Sequence, residues 1–419
     1  MTAALRPTGG GPATPAMRQA TMLGRIALVL PAGIALLAGL DAALLLLGLP
    51  APITTDRMQL LHAPLMVFGF IGTLVILERA VAVKHWWAFS APLLSGASGI
   101  LLLTEAPLAV GQTGFVLAMI ALLFVYGAVW RRQASRAIAV QALGAVNGLG
   151  AALLWLGDVG IPHLAPSMAA FLVLTIVGER IELARISPRM NSRAERLGLA
   201  AAGVVAASAT TAPLWPAAGY PLLGAALAAL VVWLFAYDVA TRLVRATGLP
   251  RYAAWCLLAG YGWLAVAAGI WLLSGDPTDG VAYDAVLHAV FLGFVLSMIM
   301  AHAPIILPAV LRRKLPYRPM FYVPVLLLHA SLLLRIAVGD ARGVHAMVQV
   351  GGALNVTAVL LFVVLAVISA VRGGRIISAA APALRRPEYT DPTAGSAPTP
   401  ATTDDSTPAH TTPTEEPAP

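Results

Sequence analysis

The sequence has few charged residues. Asp, Glu, Lys and Arg make up 11% of its 419 residues, whereas hydrophobic residues make up 59%. A soluble globular protein carries about 25% charged residues. The composition therefore excludes an ordinary soluble fold and predicts an all-α, polytopic membrane protein.

Twelve apolar segments are long enough, or nearly so, to cross about 30 Å of hydrocarbon as helices. They are separated by charges, Pro-Gly clusters and short polar loops. The predicted spans are 22–48, 58–83, 88–104, 112–130, 137–157, 162–184, 197–214, 218–237, 252–273, 281–306, 319–338 and 343–369.

Cysteine is nearly absent as well. The single residue, Cys256, lies in an apolar segment and cannot form a disulfide within the chain. No CxxC, CxxCH or group of thiols occurs, so covalently attached c-type haem and iron–sulfur clusters have no support in the sequence.

The few charges fall into two sets of loops. One set is basic and holds Lys84, Arg131, Arg132, Arg136, Arg185, Arg189, Arg193, Arg196, Arg242, Arg245, Arg251, Arg312, Arg313, Lys314, Arg318, Arg372 and Arg375. The other holds Glu105, Asp158, Asp276, Asp279, Asp284 and Asp340, with Arg57 and Arg342 as its basic residues. This asymmetry predicts that both termini and the basic loops are cytoplasmic. The net charge of +8 is then a topology signal and does not indicate nucleic-acid binding.

Three regions follow from these patterns. Residues 1–21 lack a signal-peptide pattern and are expected to form a cytoplasmic N-terminal segment. Residues 22–376 form the predicted transmembrane domain. Residues 377–419, rich in Pro and Thr, are expected to form a disordered cytoplasmic tail.

The second and sixth segments resemble each other at an offset of 101 residues. His62 matches His163, and the dipeptide Glu78-Arg79 matches Glu179-Arg180. The tenth segment carries His288 near the equivalent end, so the chain is interpreted as three four-helix units related by repetition. The two Glu-Arg dipeptides are interpreted as ion pairs that anchor helix ends, because carboxylates are otherwise costly in a membrane.

Histidines in the predicted outer half are the candidate cofactor ligands. His62 and His288 lie at similar depth, and two imidazoles can bind the iron of a b-type haem through Nε2. Gly69, Gly72 and Gly293 would make room for a flat macrocycle or for a close helix. The alternative, histidines hydrogen-bonded across a helix pair, carries equal weight. His302, about 21 Å along the helix from His288, is expected to lie too deep for the same iron.

His329 and His345 are further candidates for the same haem, since both lie in the predicted outer half. Together with Met66 and Met347 they also suit copper, which accepts imidazole and thioether ligands. The methionines are nevertheless common packing residues, and that interpretation is preferred for them.

Two histidine segments resemble a known family. HAPLMVFGF at 62–70 and LHAVFLGFVLSMIMA at 287–301 resemble the NnrS family of multi-span haem- and copper-containing membrane proteins linked to the nitric oxide response. That family's motif usually has a second histidine and a glutamate where this chain has Pro64 and Leu65. The resemblance covers two helices and the twelve-span plan. It implies haem, copper and a role in nitric oxide stress.

The same plan is similar to the catalytic subunit of haem–copper oxidases and nitric oxide reductases. In that resemblance, His62 and His288 correspond to the ligands of the electron-transferring haem. The sixth segment has no His-x3-Tyr and the seventh has no histidine, so terminal oxidase activity is not expected.

We therefore expect an inner-membrane protein that binds b-type haem between its second and tenth helices and acts in nitric oxide or respiratory stress. Its expected partners are the lipid bilayer and a respiratory electron-transfer protein, with no nucleic acid. The alternative is a cofactor-free secondary transporter that uses intramembrane histidines and the Glu-Arg residues to move protons or substrate. Whether the protein catalyses a reaction is left open by the sequence.

Overall fold

Helices account for all the regular structure in the part of the chain described by the computed structural model. The structure describes residues 15–185, 187, 189–311 and 314–373. The predicted disordered tail, residues 1–14 of the predicted N-terminal segment, and Arg312, Arg313 and Arg375 of the basic loops lie outside these ranges.

Twelve main helices follow one another in the described ranges. Their bounds are α1 Pro15–Leu46, α2 56–83, α3 Trp86–Leu102, α4 Leu108–Arg132, α5 Arg136–Leu156, α6 Ile161–Ala184, α7 Ser192–Thr211, α8 Pro216–Tyr237, α9 Gly248–Ser274, α10 280–311, α11 Pro319–Asp340 and α12 His345–Arg372. A single helical turn, Ala240–Leu243, lies between α8 and α9.

Ten of these helices are long and apolar enough to cross a membrane, so the protein is an all-α polytopic membrane protein, as the composition predicts. The other two predicted spans differ from these ten. α3, Trp86–Leu102, is a shorter apolar helix. α7 begins with a charged turn that contains Arg193, Glu195 and Arg196. That α3 and α7 also cross the membrane stays a prediction.

Local chemistry explains several helix ends. α5 begins after Ser135, whose hydroxyl accepts a hydrogen bond from the Ile138 amide at 3.3 Å. α7 begins after Asn191, whose side chain accepts from the Ala194 amide at 2.9 Å. Such side-chain caps satisfy amides that have no partner within the helix. α2 ends at Lys84, which has a left-handed backbone (φ 58°) that stops the helix.

Three helices contain π-helical turns. These cover Leu65–Gly72 in α2, Ala289–Leu296 in α10 and Leu334–Asp340 in α11. π-helical turns are rare in proteins, and those that occur often lie at functional sites. The first two come directly after the stretches that carry His62 and His288.

α2, α6 and α10 are the most buried of the ten apolar helices. In their most apolar stretches 67%, 83% and 61% of the residues are buried. Gly144 and Gly178 let α5 approach α6 closely, because a methyl group at either position would lie 2.8 Å from a backbone oxygen of the other helix. The three predicted repeats thus place their second helices at the centre of the protein. The described residues form one compact unit, and their descent from three smaller units stays a prediction.

Two of the charges assigned to acidic loops instead belong to helices. Asp284 lies in α10 and pairs with a buried arginine of α11, and Asp340 is the last residue of α11 and is buried. A carboxylate can lie inside a helix bundle when a fixed cation neutralises it. The charge pattern along the sequence does not show that Asp284 has such a partner.

Candidate functional site

His62 and His288 line the same cavity, which we call the histidine cavity. It has a volume of about 100 Å³ and lies between α1, α2, α10, α11 and α12. Met66, Arg335 and Asn355 are other polar or polarizable side chains on its wall. The predicted pairing of the two histidines across α2 and α10 is therefore compatible with the fold.

A backbone carbonyl fixes each of the two imidazoles. His62 Nδ1 lies 2.8 Å from the Gly39 carbonyl oxygen of α1, and His288 Nδ1 lies 2.7 Å from the Asp284 carbonyl oxygen. A carbonyl only accepts hydrogen bonds, so Nδ1 must carry the proton in both rings. In the neutral rings, Nε2 then keeps its lone pair, which is the form that binds a metal.

Glycine at position 39 lets the backbone of α1 approach α2. A methyl group there would lie 2.7 Å from the Met66 sulfur atom, so either the Met66 side chain or α1 would have to shift. The hydrogen bond that orients His62 therefore depends on this close approach.

Arg335 places a fixed positive charge on the wall of the histidine cavity. Its Nε and Nη2 groups donate to the two carboxylate oxygens of Asp284 at 2.8 and 2.6 Å. Gly351 and Gly352 make room for it, because a methyl group at either position would lie 2.8–3.0 Å from its side chain. Asp284 Oδ1 is also 3.2 Å from His288 Nδ1, so one carboxylate links the arginine to the histidine.

Arg335 was not among the site residues predicted from the sequence. An arginine inside an otherwise apolar segment was the available signal, since ionisable residues in spans usually mark a functional site. Its partner could not be inferred, because sequence does not give the rotation of α11 against α10.

The other candidate ligands lie elsewhere. His329 accepts a hydrogen bond at Nδ1 from Trp263 Nε1 at 3.0 Å, and its buried Nε2 has no partner among the described residues. His345 is the first residue of α12 and is exposed. Neither residue lines the histidine cavity, which makes them poor competitors for His62 and His288. His163 is also exposed.

Two of the three glycines proposed to make room for a macrocycle or for a close helix serve helix packing. A methyl group at Gly69 would lie 2.9 Å from Ala35 Cβ of α1, and one at Gly293 would overlap the side chain of Trp263 in α9. A methyl group at Gly72 would instead lie 3.0 Å from the Val67 carbonyl oxygen in the π-helical turn of α2 itself. The structure thus favours the close-helix interpretation for Gly69 and Gly293.

A second and larger space, the glutamate cavity, has a volume of about 300 Å³. It is lined mainly by apolar side chains of α1, α2, α6, α10 and α12, and its ionisable residues are Glu78, Glu179 and His302. His302 therefore belongs to a different cavity from His288, as their spacing predicts.

The two Glu-Arg dipeptides are joined to each other. Arg79 Nη2 donates to Glu78 at 3.0 Å and to Glu179 at 2.6 Å, linking α2 to α6. Arg180 instead binds Asp238, which follows α8. The expected pair of Glu78 with Arg79 exists, but Glu179 and Arg180 pair with other partners instead of with each other. Those partners depend on how the helices pack and have no sequence signal.

Comparison with protein families gives one match over most of the chain. Residues 25–371 match DUF8744, a domain of unknown function. The chain belongs to this family. No curated protein matched the chain. The family description assigns no activity, so an interpretation of function has to rest on the geometry of the two cavities.

In this DUF8744 protein, the described residues contain no group of three or more His, Cys, Asp or Glu side chains placed to hold a metal ion. The predicted copper set is not brought together: Met66 lines the histidine cavity, whereas His329 faces Trp263 and His345 is exposed. A haem iron takes two protein ligands at most, and the wall of the histidine cavity carries two imidazoles.

The available volume sets a condition on haem binding. Pockets that enclose drug-sized ligands measure about 300–1,000 Å³, so the histidine cavity alone is too small for a porphyrin. Ile71, Leu296 and Val359 line both cavities, which therefore share a wall. A porphyrin would need the space of both cavities, with the side chains of this shared wall moving apart.

Proposed function

We propose that this protein is an integral membrane b-type haem protein in which His62 and His288 are the axial ligands. The observation that carries the proposal is the pair of imidazoles on one cavity wall, each held through Nδ1 by a backbone carbonyl. This arrangement presents Nε2 of each ring as a ligand and fixes the orientation of the ring.

Arg335 supports the same proposal as a hydrogen-bond donor. Haem b carries two carboxylate groups, which are costly to bury without hydrogen-bond partners. Arg335 uses Nε and Nη2 to bind Asp284, which leaves Nη1 for another acceptor at the cavity wall. Bound haem would supply one-electron redox chemistry. The protein would supply the two imidazole ligands, a hydrogen-bond donor and an apolar surrounding.

We further propose that the basic loops face the cytoplasm, as the positive-inside rule predicts. The histidine cavity then lies toward the outer face of a bacterial inner membrane. The NnrS resemblance adds a role in the response to nitric oxide or in respiratory stress, with a respiratory protein as electron donor.

A visible absorption spectrum of the protein purified with added haem tests this proposal against the cofactor-free transporter. A haem protein with two histidine ligands shows a low-spin spectrum with a Soret band in stoichiometric amount. A transporter without cofactor shows no such band after free haem is removed. Metal analysis of the same sample distinguishes one iron per chain from additional copper.

A further inference from the structure

The glutamate cavity contains more negative than positive charge. Glu78 and Glu179 both line it, and both are bound by one cation, Arg79. The side chains are largely buried, with exposed fractions of 27% for Glu78, 14% for Glu179 and 14% for Arg79. One guanidinium can neutralise only one of the two carboxylates.

The neighbouring charges do not supply a second cation. Arg180 is bound by Asp238 through two hydrogen bonds of 2.6 and 2.8 Å, so its charge is already neutralised. His302 Nε2 lies 3.4 Å from Arg180 Nη1, and a protonated imidazole would be repelled there. Glu182 follows Glu179 by three residues on the same helix face and adds a further negative charge.

Buried polar atoms without partners lie beside this pair. Tyr126 of α4 is 2% exposed, and its hydroxyl has no hydrogen-bond partner among the described residues. It lies within electrostatic reach of Arg79, whose Nε is also buried without a partner in the described structure. Buried polar groups are normally satisfied, so unpartnered ones next to this carboxylate pair indicate a bound water or another small hydrogen-bonding species.

We propose that Glu78 and Glu179 form a proton-binding site in which the two carboxylates share one proton. An excess negative charge in an apolar cavity is costly, and uptake of one proton by the pair removes it. In this step one carboxylate and one proton form one carboxylic acid, and the other carboxylate stays paired with Arg79. Glu78 is the more exposed member and gives the proton access to the pair.

This proposal differs from a purely structural ion pair in a measurable way. An ion-pair anchor keeps both carboxylates charged at neutral pH. A shared proton gives one carboxylic acid, and removing either glutamate leaves one carboxylate for one guanidinium, so the acid disappears. If one glutamate were protonated independently of the other, the carboxylic acid would instead disappear in only one of the two variants.

Infrared spectroscopy of the purified full-length protein tests the proposal. The C=O stretch of a carboxylic acid is separate from that of a carboxylate and shifts in D₂O. We expect the wild-type protein at neutral pH to show a deuterium-sensitive acid band, of which one carboxyl equivalent is lost in both Glu78→Gln and Glu179→Gln. Glu182→Gln is the matched control on the same helix and should keep this component, because Glu182 is exposed.

Asp41 and Asp340 each have a buried carboxylate oxygen without a partner in the described structure and contribute bands of their own, so the comparison is made on difference spectra. Loss of the deuterium-sensitive acid band in one glutamine variant alone, or in neither variant, overturns the proposal. If the glutamine variants do not fold, Glu78→Asp and Glu179→Asp retain the acid and must each shift the band. An unshifted band in both overturns the shared proton.

Discussion

The Arg180–Asp238 ion pair is the most deeply buried in the described structure, and Asp238→Asn is the sharpest test of the packing around α6. The side chains are 4% and 0% exposed. Besides the two hydrogen bonds from Arg180, Asp238 accepts hydrogen bonds from the Tyr261 hydroxyl at 2.9 Å and the Ala240 amide at 2.7 Å. Four donors therefore converge on one carboxylate.

Asparagine cannot accept from all four donors. Its amide nitrogen would face groups that also donate, and Arg180 would keep its charge without a counter-ion. Removing one partner of a buried ion pair costs about 3–5 kcal/mol. At about 1.4 kcal/mol per tenfold, this changes the unfolding equilibrium by a factor on the order of 10²–10³.

Unfolding of the purified protein in detergent, followed by tryptophan fluorescence, measures this free energy. Glu195→Gln is the comparison variant, since Glu195 pairs with Arg136 and Arg185, whose side chains are 38% and 33% exposed. Partly exposed pairs of this kind contribute less than about 1 kcal/mol. A loss of stability for Asp238→Asn no larger than that for Glu195→Gln would refute the buried pair. Recovery of stability in the double variant Arg180→Met with Asp238→Asn would support it.

Three other predictions concern packing, pH and topology. Gly293→Ala should lower the free energy of unfolding by about 1–3 kcal/mol, because the added methyl group overlaps the Trp263 side chain. Gly269 has open space around it, so Gly269→Ala should not destabilise the protein. Thermal unfolding of the two variants compares them. Burial raises the pKa of the Glu195 carboxyl, but hydrogen bonds from two arginines outweigh it and hold the pKa below its ordinary value of 4.5. Its stabilising contribution should thus be present above pH 4.5 and be lost as the pH falls through the lowered pKa, which an acid titration of stability in wild type and Glu195→Gln would show. Reporter fusions at Arg193 and Asp279 should lie on opposite sides of the membrane, and a common side would contradict the helix count.

Composition and periodic apolar segments were sufficient to predict the helices. All twelve predicted segments overlap helices, because bilayer-length apolar runs leave the backbone few alternatives. The boundaries differ most for the first, predicted at 22–48 and found at Pro15–Leu46. The seventh, predicted at 197–214, is found at Ser192–Thr211. A capping asparagine and a charged first turn extend that helix beyond its apolar part.

The site was only partly predictable. Depth along a helix follows from residue count, so the similar depth of His62 and His288 could be inferred from sequence. Rotation about the helix axis could not, particularly where π-helical turns change it, and therefore Arg335, Asp284 and the bridge from Arg79 to Glu179 were missed. The hydrogen bond from Trp263 to His329 was missed for the same reason.

The visible spectrum of the histidine variants tests the central claim most directly. With haem added to each purified protein, we predict that His62→Ala and His288→Ala lose the low-spin spectrum or become five-coordinate. His302→Ala, His329→Ala and His345→Ala should retain it, because those side chains do not line the histidine cavity. Loss of haem in His345→Ala or His329→Ala, with an unchanged spectrum in His288→Ala, would contradict ligation across α2 and α10.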